Sequence, residues 1–196
     1  MSDGLLPDVD GTTPLGVDER EGLKLSYVTT RGDLNAAEQQ NILKAQTWAR
    51  RRNNDQVLSR SYLNGLHKRM YGDVWSWAGT YRTTEKNIGV APARIQTDLQ
   101  ELLDNVAYWI QHDTYPPDEV AARFHHKLVY IHPYPNGNGR HARLATDILL
   151  ETLGRTPFTW GRATLRDASE ARRRYIDALR AADGHDLGPL LSFVRS

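Results

Sequence analysis

The sequence predicts an all-α domain carrying one small β-hairpin near residues 80–92. Three observations support this. Apolar residues recur at three- and four-residue spacing through most of the chain, capping patterns precede several of those runs, and only 80–92 alternates in the manner of strands.

The elements follow in chain order. Gly4, Pro7, Gly11, Pro14 and Gly16 interrupt any helical period, so residues 1–33 read as an irregular arm and 34–196 as a single domain. Asn35-Ala36-Ala37-Glu38 has the form of a capping box and opens a helix expected to reach about Arg52. A helix over 59–70 would bury Leu63, Leu66 and Met70. In the hairpin, Tyr81, Thr83 and Thr84 precede a turn at Lys86-Asn87, and Ile88 to Val90 return; Trp75 and Trp77 are expected in the core beside it. A second capping box, Thr97-Asp98-Leu99-Gln100, leads a helix with Leu99, Leu102, Leu103, Val106, Trp109 and Ile110 on one face. Pro117 starts the next helix, which buries Val120, Phe124, Leu128 and Ile131 and must end near His132, because Pro133 and Pro135 cannot continue it. Periodicity resumes through Leu144, Ile148, Leu149 and Leu153 and stops at Gly154. Two last helices are expected at 168–182, after Asp167-Ala168-Ser169-Glu170, and at 187–195.

Composition excludes several classes of function. With no cysteine, the chain has no disulfides, thiolate nucleophile or cysteine-based metal site, which fits a reducing compartment. No apolar run has membrane-spanning length and the first residues lack a basic-then-apolar pattern, so a cytoplasmic protein without membrane attachment is expected. The net charge is only +1, so nucleic acid is not an expected partner; Arg50-Arg51-Arg52 and Arg172-Arg173-Arg174 read as solvated helix faces.

The chemistry concentrates in His132-Pro133-Tyr134-Pro135-Asn136-Gly137-Asn138-Gly139-Arg140-His141-Ala142-Arg143. Two glycines flank Asn138 where a loop enters a helix, whose first N–H groups have no partners and whose dipole is positive; such a junction binds anions. Arg140 and Arg143, three apart, are expected to share a face and point at one spot. Arginine is electrostatically misplaced at a helix N-terminus unless something negative sits there, and a polyphosphate supplies that charge and accepts forked donors. His132, across the loop, could take a proton from a hydroxyl attacking a phosphorus held there. The physical reading is phosphoryl or nucleotidyl transfer. His125 and His126 read as ordinary helix positions, and His141 as a surface position or a support behind the site.

These residues resemble the signature of the Fic family: His-Pro-Phe, any residue, Asp or Glu, Gly-Asn-Gly-Arg, two residues, Arg. Seven fixed positions match (His132, Pro133, Gly137, Asn138, Gly139, Arg140 and Arg143), which at about 5% usage per residue has odds on the order of 10⁻⁹ per starting position. Trp77-Ala78-Gly79-Thr80-Tyr81-Arg82 resembles the segment leading into the family's hairpin, and the arm, the Trp160 region and the arginine-rich helix look like the subgroup called mobile mystery protein B. The resemblance implies a Fic-type helical domain that transfers AMP from ATP, or a nucleotidyl group from another nucleoside triphosphate, to a Ser, Thr or Tyr hydroxyl of a target protein, releasing pyrophosphate. His132 would be the base. Gly137, Asn138 and Gly139 would hold the α- and β-phosphates, and Arg140 and Arg143 the β- and γ-phosphates. Thr84, Glu85, Lys86, Asn87, Ile88, Gly89 and Val90 would form the flap on which the target adds as a strand. Mg²⁺ would bridge the phosphates, helped by the motif's acidic residue, whose place is taken here by Asn136; its carbonyl can still ligate, without the charge. Tyr134 stands where the family has Phe. Gly139 departs from the phosphotransferase variant of the fold, which has lysine there.

Glu38 admits two readings. Many Fic enzymes are held inactive by a helix glutamate paired with the second motif arginine, here Arg143, and Glu38 would be that residue. The alternative is the capping box alone, in which case a small antitoxin protein would supply the glutamate.

Overall fold

The computed structural model describes residues 16–50, 56–162 and 168–196. Its elements are helices α1 (Val17–Arg20), α2 (Arg31–Arg50), α3 (Arg60–Tyr71), α4 (Ile95–Gln111), α5 (Pro117–Ile131), α6 (Asn138–Thr152), α7 (Ala168–Asp183) and α8 (Gly188–Val194), with a 3₁₀ turn at Pro92–Arg94. Residues 1–15 of the expected arm, the predicted helix end at Arg52 and the start signal at Asp167 lie outside the described residues, whereas 16–33 carry α1 and the first residues of α2 and bond to the domain through Lys24 N–H on Val74 O and Ser76 N–H on Gly22 O (both 2.8 Å).

Helix α5 is the centre of the fold. It packs against α4 on one side and α6 on another, with α8 beyond, because Val120, Phe124, Leu128 and Ile131 are joined on its buried surface by Ala121, Ala122 and His125, and only Lys127 and Tyr130 are left exposed. Residues of this kind each stabilise by roughly 1.5–3 kcal/mol when buried. Helix α3, inserted between α2 and α6, completes the main core with Leu63, Leu66, Met70 and Tyr71. A second cluster joins Ala121 and Leu150 to Phe158, Trp160, Tyr175, Leu190 and Phe193, fastening the α7–α8 pair to the far side of α5 and α6.

Three sequence expectations are corrected. First, helix α2 opens at Arg31, four residues before Asn35. The capping box is Thr30 to Asp33: the Thr30 hydroxyl accepts the Asp33 N–H (3.1 Å), while the Asp33 carboxylate accepts the N–H groups of Thr30 (3.0 Å) and Thr29 (3.2 Å). Glu38 therefore lies inside the helix, in the buried stripe of Leu34, Ile42, Ala45 and Ala49, and the capping explanation for it fails. Second, α4 starts at Ile95, led by the 3₁₀ turn and without a side-chain cap, so Thr97 is already within its first turn; Asp98 accepts from Arg94 instead. Third, 80–92 forms no strand ladder. Among the described residues the only strand-like pairing is the isolated bridge between Leu23 and Trp75. The two limbs of 80–92 bond to the end of α5 rather than to each other: Arg82 N–H to Pro133 O at 2.9 Å, and Val90 N–H to Ile131 O at 3.4 Å.

Deleting the ring of Phe124, which is fully buried on α5, should cost about 3–5 kcal/mol through lost transfer energy and the cavity left behind. Urea unfolding of Phe124→Ala checks this, and a loss under about 1 kcal/mol would contradict the central place given to α5.

Candidate active site

The chain leaves α5 through a left-handed turn at His132 (φ 53°, ψ 61°) and enters α6 through another at Gly137 (φ 77°). A side chain at Gly137 is excluded twice over: the backbone angle disfavours it, and a Cβ would come within 2.6 Å of the Tyr71 ring. Between the two turns the loop is closed by Asn138. Its Oδ1 accepts the Tyr134 N–H (2.9 Å) and its Nδ2 donates to Tyr134 O (2.8 Å), so the amide is buried and its hydrogen bonds go to the loop. Tyr134 is itself buried, stacked on His67 at 3.7 Å between centroids, with its hydroxyl donating to Asn64 Oδ1 (2.8 Å). The hydroxyl that distinguishes it from Phe thus has a partner.

His67 supports the loop from beneath. Its Nδ1 accepts the Gly79 N–H (2.9 Å), which leaves Nε2–H to donate to Asn136 O (3.1 Å). His141 is fully buried and donates to Leu63 O (3.0 Å), so its placement at the surface is corrected, since its ring faces α3.

The N-terminus of α6 has no side-chain cap and no acidic residue in its first turn. Glycine in a helix interior costs about 1 kcal/mol relative to alanine, yet a Cβ on Gly139 would meet nothing within 4 Å. Protein packing therefore does not demand this glycine, whereas a ligand approaching the first-turn amides would. Asn136 turns its Oδ1 back onto Gly137 N–H (2.8 Å), so the residue at the motif's acidic position braces the loop.

Arg140 and Arg143 do not converge. Arg140 points toward α2 and α3, where its Nη1 pairs with Glu38 Oε2 at 2.7 Å and its guanidinium lies 5.2 Å from the Tyr71 ring centroid. Arg143 rests over Tyr175 of α7 at 4.5 Å. The expected partner of Glu38 is corrected accordingly: the glutamate engages the first motif arginine. The reason is its anchorage, since Glu38 Oε1 also accepts Trp75 Nε1–H (2.8 Å), which fixes the carboxylate on the α2–α3 side. A carboxylate in a buried helix stripe needs such partners.

Sequence reasoning missed Arg82. Its buried guanidinium donates to His132 O (2.7 Å), Thr84 O (2.9 Å), Ile131 O (3.4 Å) and Val90 O, clamping both limbs of the 80–92 segment to the end of α5. Gly89 (φ 104°) lies against His132, where a Cβ would come within 2.6 Å of the histidine's own. Glu19 adds a second tie, through Lys86 and the Thr84 hydroxyl. Thr84, Glu85, Asn87, Ile88 and Gly89 remain exposed, while Lys86 and Val90 are partly covered.

Burial, and then the charge of Arg82, push the His132 imidazole down to about 4, so it is neutral near pH 7. Two surface grooves, of about 670 and 460 Å³, run along α4 and share no lining residue with 132–143. Among the described residues no group of three or more His, Cys, Asp or Glu could hold a metal ion, and no helix is long and apolar enough to cross a membrane.

Residues 57–150, from the last turn before α3 to the body of α6, match the Fic/DOC family. Over that stretch the chain belongs to the Fic/DOC family. It is 31% identical over 137 residues to protein adenylyltransferase fic-1 of Caenorhabditis elegans, covering 66% of this chain and 25% of that protein, and 32% identical over 133 residues to protein adenylyltransferase Fic of Nematostella vectensis, covering 66% and 30%. The chain thus spans about a quarter to a third of the length of these relatives. Among solved structures, Fic-1 (residues 134–508) of C. elegans superposes with a TM-score of 0.62 at 28% identity, over 89% of this chain and 56% of that one. The N-terminal Fic domain of a Bartonella quintana protein with bound ADP gives 0.69 at 15% identity, over 90% and 94%, a likeness of fold.

Four neutral buried histidines should make this Fic domain less stable in acid. Burial, aided by a neighbouring positive charge at three of the four, holds His67 well below its ordinary value, His125 at about 3, and His132 and His141 at about 4. Below pH 6.5 the unfolded chain takes up these protons and the folded one does not, so stability is lost as pH falls from 6.5 toward 4. Asp147, pushed up to about 6 by burial, opposes this by binding a proton in the folded state first. The net uptake on unfolding near pH 5 is on the order of three protons, or about 4 kcal/mol per pH unit. Urea titrations from pH 7 to 4.5 should show this decline, and a flat profile would contradict the neutral histidines.

Proposed function

We propose that this Fic domain transfers AMP from the magnesium complex of ATP to a Ser, Thr or Tyr hydroxyl of a target protein. The observation that carries this is the loop's geometry: a neutral His132 on a left-handed turn at one end, and at the other an uncapped, carboxylate-free helix start with open space over Gly139. The names of the relatives and the ADP bound to a similar fold support the choice of an adenine nucleotide.

In this reading His132 takes the target hydroxyl's proton as its oxygen bonds to the α-phosphorus and the bond to the bridging oxygen breaks, so pyrophosphate leaves. The first-turn amides of α6 meet the negative charge that develops, with Arg140 and Arg143 on the β- and γ-phosphates. Asn138 contributes by holding the loop shut with its side-chain amide, whose hydrogen bonds go to Tyr134 rather than to the phosphates. Magnesium would come with the nucleotide, whose phosphate charge it would offset, and the motif residue that would reach it is Asn136, a neutral Oδ1 that already accepts from Gly137 N–H. The target would add along 84–90, beside His132. Since Tyr175 and Trp160 contact Arg143, the C-terminal helices form one unit with the motif; we keep 34–196 as its body, with the segment from Glu19 to Asp33 tied onto it through Lys86, Trp75 and α2, and place it in the cytoplasm.

The Glu38–Arg140 pair supports self-inhibition, because the glutamate occupies an arginine that the phosphates would need. With Glu38 supplying that carboxylate from within, an antitoxin protein is not required. Asn136 motivates a second reading, a catalytically weak domain that binds a nucleotide or partner.

Incubation with each α-labelled nucleoside triphosphate and magnesium separates these readings. His132→Ala should lower label transfer at least about 100-fold, the usual contribution of a general base, and Glu38→Gly should raise it about tenfold by freeing Arg140. Label that survives His132→Ala would remove the mechanism; no label from any nucleotide even with Glu38→Gly would favour the binding module. Asn136→Asp should raise transfer if the metal is limiting and leave a binding module silent.

A further inference from the structure

Arg143 is the motif arginine that Glu38 leaves alone, and the two rings that lie against it come from beyond residue 150, outside the matched family segment. Its guanidinium lies 4.5 Å from the Tyr175 ring centroid and 5.9 Å from that of Trp160, and its Nε is buried without a hydrogen-bond partner. Among the described residues no carboxylate pairs with it, and rings lie against it instead, as expected where a guanidinium must stay available to an incoming anion.

Tyr175 is itself oriented. Thr146 donates its hydroxyl hydrogen to Ala142 O (2.7 Å), so toward His125 Nδ1, 3.4 Å away, its oxygen can only accept. The His125 ring proton is therefore assigned to Nδ1, and Nε2, 2.9 Å from Tyr175 Oη, accepts the phenol hydrogen. This leaves the lone pairs of the phenol oxygen for Arg143, which approaches the hydroxyl as well as the ring. Burial and the nearby charge of Arg143 keep His125 uncharged, as an acceptor role requires. On the other side, Trp160 sits at φ 55°, an unfavourable backbone for a bulky residue, held there by its N–H on Val194 O (3.2 Å) and its indole N–H on Asp147 Oδ1 (3.0 Å). Its ring lies 4.5 Å from that of His125. Backbone outliers of this kind collect at functional sites, and nothing in the scheme above uses these residues.

We propose that Tyr175 is a positioning residue for nucleotide binding: oriented by His125, its ring and hydroxyl hold the Arg143 guanidinium in place to receive the β- and γ-phosphates, which makes helix α7 part of the active site. This rests on the reading of Arg143 as a phosphate-binding residue.

The test is the affinity of the full chain for magnesium–ATP, measured by calorimetry in wild type, Tyr175→Phe, Tyr175→Leu, Arg143→Ala and the double variant Tyr175→Leu/Arg143→Ala, with thermal melting of each. Phenylalanine keeps the ring and loses only the hydroxyl's contact, so it should weaken binding about threefold to fivefold, the scale of one hydrogen bond and less than leucine. Leucine should weaken binding about tenfold, the scale of a lost partly buried cation–π contact. Added to Arg143→Ala, leucine should cost nothing further, because the two act as one unit. Should the leucine variant not fold, Tyr175→Met, of similar length without a ring, takes its place. Wild-type affinity in the leucine variant beside a weakened Arg143→Ala overturns the proposal, as do losses that add in the double variant, which would make Tyr175 merely structural. If Arg143→Ala itself binds like wild type, the phosphate reading of that arginine fails first and the proposal falls with it.

Discussion

Two hydrogen bonds, from the Asn138 amide to the N–H and C=O of Tyr134, close the turn on which the whole site depends. The chain must pass from the end of α5 to the start of α6 in six residues, two of them prolines that offer no N–H. Such a stretch can satisfy few of its own backbone groups. Asn138 supplies what the main chain cannot, and it does so while serving as the first residue of α6. The loop and the helix N-terminus are therefore one rigid body. The amides that open α6 face outward because the loop's inner needs are met from within, by Asn138 above and by His67 and Asn64 below.

Around that turn, positive charge is handled in three ways. Arg82 is consumed structurally, its donors spent on four backbone carbonyls that bind the 80–92 segment to His132. Arg140 is balanced by Glu38, and Arg143 is covered by rings. The three arginines crowd a region whose histidines burial keeps neutral. Glu85 and Glu19 act on Arg82 from further off, and among the described residues the carboxylate paired directly with one of the three is Glu38. An anionic ligand at the helix start would compete with it. The pair between Glu38 and Arg140 links the resting state to the ligand-bound one through electrostatics, without requiring a change of fold.

Much of this was legible in the sequence. Helices α3, α5, α7 and α8 stand close to where periodicity and proline placed them, and the 132–143 cluster announced a loop-to-helix anion site by its glycines and arginines alone. What was missed had physical causes. Gly32 disguised the Thr30–Asp33 capping box, and a helix start misplaced at Asn35 leaves Glu38 open to a capping reading beside the inhibitory one. Starting the helix at Arg31 would have put Glu38 in line with Leu34, Ile42 and Ala45, where a lone carboxylate signals a buried partner. The 80–92 segment alternates like a hairpin, but Arg82 satisfies its backbone from the side, and no pattern of residues advertises a buried arginine in that role. The divergence of Arg140 and Arg143 was equally hidden. Spacing of three puts two Cβ atoms on one face, whereas long side chains follow their partners, here Glu38 and Tyr175, which lie far apart in sequence.

The central claim is that the turn and the first amides of α6 form a ready-made seat for a triphosphate. Amide and imidazole NMR shifts during titration with a non-hydrolysable ATP analogue test it without requiring turnover. Shifts concentrated at Gly137 to Arg143, at the His132 ring and at the Glu38–Trp75 contact, with the core of α5 unmoved, are the predicted result. Shifts gathered instead along the α4 grooves, or saturation that leaves Gly139 and His132 untouched, would contradict it.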